Sequence, residues 1–223
     1  MCGRFMLATP REHLVSQFRL RHAPELGPRY NIAPSQPVAI VRETIQHGRQ
    51  LALVHWGLIP YWVKEPNDNA KMINARAETL TERPFFRSAF AQRRCLVPAD
   101  GFYEWKKVTG KKQPYSIRTK NEKPIAFAGL WERWRDRSRV IESCAIITTD
   151  ANELIQSLHD RMPVILDEQD YARWLDCSLD DPVALQPLLR PYDPHKLVAY
   201  AVSTRVNSPK NDDIDCIAPV EPS

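Results

Sequence analysis

Apolar and β-branched runs recur along this chain at Val38–Ile45, Leu51–Leu58, Tyr115–Arg118, Pro124–Leu130 and Arg139–Thr149. Turn material stands between them, notably His47-Gly48-Arg49 and Thr109-Gly110-Lys111, so the pattern predicts strands joined by hairpins. Shorter strands are expected at Val164–Leu166 and Leu197–Ser203. Helical spacing occupies Asn152–His159 and Glu168–Cys177, with a last helix expected over Asp181–Arg190. Near the start, Thr9-Pro10-Arg11-Glu12 reads as a capping box that opens a short helix carrying Leu14, Val15 and Phe18 on one face. Hairpin strands with irregularly placed helices predict an α+β fold, mainly antiparallel with peripheral helices, and not the strict alternation of a doubly wound sheet.

The length, 223 residues, favours one domain spanning the whole chain. Hydrophobic residues at 43% and charged residues at 26% exclude a disordered or fibrous class. No apolar run approaches the roughly 18 residues of a membrane span, and the opening Met1–Ala8 is too short in apolar residues for a signal peptide. A cytoplasmic or nucleoid location is therefore expected, with no membrane partner. Five cysteines (Cys2, Cys95, Cys144, Cys177, Cys216) show no zinc-type spacing and are expected as free thiols. Neither that spacing nor a phosphate-cradling glycine loop is present, so no metal or organic cofactor is expected. A net charge of +4 permits a polyanionic partner without demanding one. Nineteen prolines against seven glycines stiffen the connections, which suits a preformed site; the polar, proline-bearing tail from Asn207 is expected to be partly mobile.

Cys2 follows the initiator methionine, and removal of Met1 would turn it into a 1,2-aminothiol. That group has an amine with a pKa near 7.7–8.0 and a thiol near 8.5, both with reactive fractions close to neutral pH. The amine can form a Schiff base with an aldehyde, after which the thiol can close a five-membered thiazolidine on the same carbon. Position alone makes Cys2 weak support; the polar residues set in apolar or proline-bound contexts elsewhere strengthen it. In Ile73–Glu78, alternation places Asn74, Arg76 and Glu78 on one side, suited to a sugar hydroxyl and a phosphate or simply to solvent. Glu104 stands among Phe102, Tyr103 and Trp105, where burial would raise its pKa and keep a proton available; the alternative is a strand glutamate in water. His159, at the end of an expected helix, could shuttle a proton or serve as a helix cap. Tyr61, Trp62 and Trp105 offer stacking surfaces and Pro34 an apolar wedge, while Trp56 is expected in the core.

In their order along the chain, Met1–Phe5, Arg29–Pro34, Trp56–Trp62, Ile73–Thr79, Arg94–Trp105 and His159–Leu166 resemble the SRAP family, whose members are named for association with the SOS response. The resemblance implies a single α+β domain with a positively charged DNA channel, acting on single-stranded DNA that contains abasic sites. It implies a durable thiazolidine link from Cys2, with Glu104 assisting sugar-ring opening and proton transfer, His159 assisting Schiff-base chemistry, and Asn74 orienting the opened sugar. It also implies that Arg4 and Arg76 hold flanking phosphates, with Arg161 as a helper, and that Pro34, Trp62 and Trp105 shape a base-stacking surface. The C-terminal motif is matched over Val202–Asp212, but Asp212-Asp213-Ile214-Asp215-Cys216 departs from the usual pattern, so DNA contacts there are expected from Asn207 and Lys210 alone. The clusters Lys106-Lys107, Lys111-Lys112 and Arg133–Arg139 add nonspecific phosphate attraction or are simply solvated hairpin edges, the second being the default. A monomer is expected.

Three other functions fit parts of the pattern. Glutamine amidotransferases share the opening Met-Cys-Gly, but this chain has no counterpart of their Gly-His-Thr-Arg-type segment. A cysteine peptidase, autoproteolytic on its own leader, would use Cys2, His159 and Glu104 as nucleophile, base and orienting group. A noncovalent single-strand binder would leave Cys2 incidental, so that Cys2→Ala keeps its function.

Overall fold

The computed structural model describes residues 2–44, 46–66, 72–108, 110–179 and 181–221. Met1, the strand end expected at Ile45 and Thr109 of the expected turn lie outside the described residues.

The first half of the chain forms β1 (Phe5–Leu7), α1 (Arg11–Phe18), β2 (Arg29–Ile32), β3 (Pro37–Thr44), β4 (Gly48–Trp56), β5 (Asn74–Arg76), α2 (Pro84–Gln92), β6 (Arg94–Ala99) and β7 (Gly101–Val108). The second half forms β8 (Lys111–Thr119), β9 (Ile125–Arg135), β10 (Val140–Asp150), α3 (Glu153–Gln156), β11 (Arg161–Pro163), β12 (Ile165–Leu166), α4 (Tyr171–Leu175), α5 (Pro182–Leu185) and β13 (Leu197–Ala201). The fold is α+β and mainly antiparallel, with few and short helices.

Two sheets carry the site. In the larger one, β10, β4, β3, β6 and β9 pair in sequence and β9 pairs back onto β10, which closes a barrel. Parallel pairing occurs where β4 and then β5 run along the same edge of β10: His55 and Trp56 face Ser143 and Cys144, and Asn74–Arg76 face Ile146–Thr148. The chain leaves β4 at Gly57, whose φ of +142° suits glycine and whose N–H bonds the Cys144 carbonyl at 2.9 Å. The smaller sheet has the order β13-β8-β7-β1-β2. Phe5 of β1 packs edge-on against Trp56 and Phe127 at 5.1 and 5.9 Å, and so ties the small sheet to the barrel core. Gly101 is required where β7 begins, because a Cβ there would lie 2.4 Å from the Ile117 carbonyl oxygen.

Several local expectations change. Thr9 does not cap α1: its hydroxyl donates to Asp100 Oδ1 at 2.5 Å, while Asp100 Oδ2 accepts the Ala8 and Thr9 N–H groups, and Pro10 holds the cap position. The helix expected over Asn152–His159 is a single turn, capped by Asn152 accepting the Ile155 N–H at 3.0 Å. Over Glu168–Cys177 a 3₁₀ turn precedes α4, and over Asp181–Arg190 α5 passes into a 3₁₀ turn at Pro187, which lacks the N–H that an α-helix would continue with. The tail is not loose. Asp212 accepts the Tyr30 and Asn31 N–H groups at 2.6 and 2.8 Å and pairs with Arg29, and Cys216 is buried. The buried Arg94 guanidinium donates to carbonyls of Phe90, Ala91, Trp174, Asp176 and Leu179, closing the ends of α2 and α4 onto the barrel.

Candidate functional site

Threading β1 between β7 and β2 carries residue 2 into the interior, and Cys2 is fully buried. Asn74 opens β5; its Nδ2 donates to the Cys2 carbonyl at 2.9 Å, and its buried Oδ1 has no hydrogen-bond partner among the described residues. An acceptor held in place without a donor favours a ligand group that can donate. Glu104 lies on β7 opposite Tyr115 and is buried; desolvation raises its carboxyl pKa, partly opposed by the charge of His159. The Cys2 thiol is pushed strongly upward, by burial first and by the Glu104 charge second, with a hydrogen bond from the Arg4 backbone working the other way. At neutral pH this thiol therefore keeps its proton.

His159 follows the single turn of α3, with its side chain 31% exposed. Its Nδ1 accepts the Arg161 backbone N–H at 2.9 Å and also lies 2.7 Å from an Asp160 carboxylate oxygen. These neighbours make opposite demands. The N–H needs the lone pair, which places the proton of a neutral ring on Nε2, whereas the carboxylate calls for a donor at the same atom. Glu104 and His159 line one cleft of about 690 Å³ together with Trp105, Lys106, Lys107, Lys112, Ser157, Leu158 and Asn207.

The remaining expected residues divide. Arg4 Nη1 donates to Asn31 Oδ1 at 2.7 Å and the Val206 carbonyl at 2.6 Å, and its guanidinium lies 5.8 Å from the Trp105 ring. Trp105 Nε1 donates to Asn207 Oδ1 at 2.7 Å, so these two form one wall. Arg161, expected as a phosphate helper, is engaged within the protein: its Nη atoms reach both Glu78 oxygens at 2.8 and 2.9 Å, Asp150 at 2.7 Å and the Thr148 carbonyl at 2.7 Å. Its backbone N–H is the one that bonds His159 Nδ1. Asn74 and Arg76 share a strand face as expected, but a 3₁₀ turn at Ala77–Thr79 breaks the alternation before Glu78. Arg76 and Lys210 are exposed and Pro34 is half-buried; none of the three is in the cleft wall. Trp62 is 49% exposed and stacks on Phe85 at 5.5 Å, an aromatic partner that sequence reading missed because the pairing joins separate segments of the chain. Ser157 was likewise missed. Lys107 and Lys112 are exposed, as a solvated hairpin edge would have them, and with Lys106 they line the cleft that holds Glu104.

A barrel with a buried cysteine at its second residue, next to an asparagine, a glutamate and a histidine, defines a class that comparison with known proteins makes specific. The family model described as SOS response associated peptidase (SRAP) matches residues 1–209. The abasic site processing protein YoqW of Bacillus subtilis is 45% identical over 97% of this chain and 99% of its own length. HMCES of Xenopus tropicalis, also named an abasic site processing protein, is 34% identical over 86% of this chain and 66% of its own length. A crystal structure of a Bacteroides thetaiotaomicron protein superposes with a TM-score of 0.89 at 28% identity, covering 99% of this chain and all of that one. The chain belongs to the SRAP family.

Proposed function

We propose that this protein processes abasic sites in single-stranded DNA by covalent capture at Cys2. The observation that carries the reading is a chain of four residues from four separate segments: Asn74 bonds the Cys2 carbonyl, the Cys2 thiol feels the Glu104 carboxyl, and Glu104 lines a cleft with His159. The names of the relatives support the substrate. Exposed Trp62 and the Trp105 wall support a single strand, since stacking needs unpaired base faces.

The chemistry follows from the charge states. An abasic sugar reacts only when its ring opens to the aldehyde, and a carboxyl whose pKa burial raises exchanges the proton that ring opening and loss of water require more readily near neutral pH than an ordinary glutamate does. With the thiol protonated, the amine freed by removal of Met1 is the first nucleophile. It adds to the aldehyde carbon, one water leaves, and a Schiff base forms. The thiol then adds to the same carbon: a C–S bond forms, the imine π bond is lost, and the thiol proton passes to nitrogen. The product is a thiazolidine, with one water released overall. Asn74 Oδ1 is placed to accept a sugar hydroxyl, and His159 to relay protons.

Incubation with an oligonucleotide bearing one abasic site, followed by a denaturing gel, tests this. A heat-stable adduct is expected from the wild type and none from Cys2→Ala; a Cys2→Ala variant that still crosslinks would overturn the proposal.

A further inference from the structure

The tip of the β7–β8 hairpin repeats a feature that stability alone does not favour. Lys107 and Lys112 sit directly opposite each other in the antiparallel register, and like charges in that position destabilise a sheet. Neither is in an ion pair among the described residues. On the same face of the hairpin lie Trp105 and Pro114, one cross-strand pair further along. Both lysines and Trp105 line the cleft that holds Glu104 and His159.

We infer that Lys107 and Lys112 form a phosphate subsite, in which the lysine pair together binds one backbone phosphate of a single strand lying in the cleft, next to the expected base platform of Trp105. The cross-strand repulsion that is unfavourable in the free protein is relieved when an anion sits between the two ammonium groups. Stacking on an aromatic face together with a cationic groove is how proteins hold single strands without reading sequence. Trp105 is braced for this by the bond from Nε1 to Asn207 and by the Arg4 guanidinium. The subsite rests on the reading of the cleft as a DNA site and adds to it two residues that set the register of the strand.

The test uses the full chain, Lys107→Gln with Lys112→Gln, and an undamaged single-stranded oligonucleotide, with binding followed by fluorescence anisotropy over a range of salt. Loss of the hold on one phosphate should reduce the slope of log affinity against log salt by about 0.7. The melting temperature of the double variant should be no lower than that of the wild type, because a repulsive pair has been removed. Oligonucleotides carrying one abasic site and a single uncharged methylphosphonate at successive positions then locate the contact. Wild type should lose affinity at one position near the lesion, and the double variant should be indifferent to that substitution. An unchanged salt slope, or a methylphosphonate profile identical in both proteins, would overturn the subsite. Wild-type crosslinking run alongside separates the two ideas: absence of a wild-type adduct counts against the proposed function, whereas normal wild-type crosslinking with an unaltered slope in the variant counts against the lysine pair alone.

Discussion

Cys2 and Cys144 are both fully buried, and in both burial drives the thiol pKa far upward. Cys144 sits where the barrel closes, paired in register with Trp56 on one side and Trp131 on the other, and burial is the one cause of its shift. Cys2 has a carboxyl and an asparagine as neighbours, and the Glu104 charge adds to its shift. Burial alone makes an inert thiol. Proton-handling groups beside it make the difference, and under the proposed mechanism the thiol that stays protonated acts second, after an amine.

The comparison can be broken by exchanging the two losses. Cys2→Ala should abolish the adduct on a denaturing gel, while Cys144→Ala should crosslink like wild type; equal loss in both would mean that the fold, not the site, is being measured. Glu104→Gln should slow adduct formation on the order of a hundredfold while leaving affinity for undamaged single strands in place, as read by single-turnover kinetics beside anisotropy. Loss of affinity instead would make Glu104 structural.

The same substitution has a signed effect on stability. A carboxyl whose folded pKa is raised holds its proton more tightly folded than unfolded. Its contribution is present below the ordinary glutamate value of about 4.3 and is lost as pH rises through the folded value. Glu104→Gln escapes that loss. Its melting temperature should exceed that of wild type in mildly alkaline buffer and approach it near pH 4.3.

Arg161→Ala should lower stability by about 2 kcal/mol, since the guanidinium side chain is 11% exposed while Glu78 and Asp150 face solvent. Chemical denaturation measures this, and a stable Arg161→Ala variant with weaker DNA binding would return Arg161 to the phosphates. The smallest effect is expected from Cys144→Ala, about 1 kcal/mol by the same measurement, from a small cavity between two strands.

What could be read from the sequence follows the range of the forces involved. The β-branched runs at Val38, Leu51, Pro124 and Arg139 declare β3, β4, β9 and β10, because alternation and turn residues are local signals. Phe5-Met6-Leu7 carries no such signal; it is a strand because β7 and β2 flank it. Thr9 resembled a helix cap until Asp100, far along the chain, competed for its hydroxyl. Cys2, Glu104, His159 and Asn74 were legible as chemical types in apolar settings, but their meeting at one cleft depends on two sheets. Lys107 and Lys112 required the β7–β8 register, and the engagement of Arg161 required Glu78 and Asp150 to be placed beside it. The tail read as mobile from its polarity, yet Asp212 and Asn31 turn that polarity into docking.

The most direct test of covalent capture at Cys2 is intact and peptide mass spectrometry of the adduct, formed with and without borohydride. The account predicts a mass equal to protein without Met1 plus DNA less one water, mapped to a peptide that begins at Cys2 and unchanged by borohydride, because the ring has already consumed the imine. An adduct that survives only after borohydride reduction, or that maps to a cleft lysine, would contradict it.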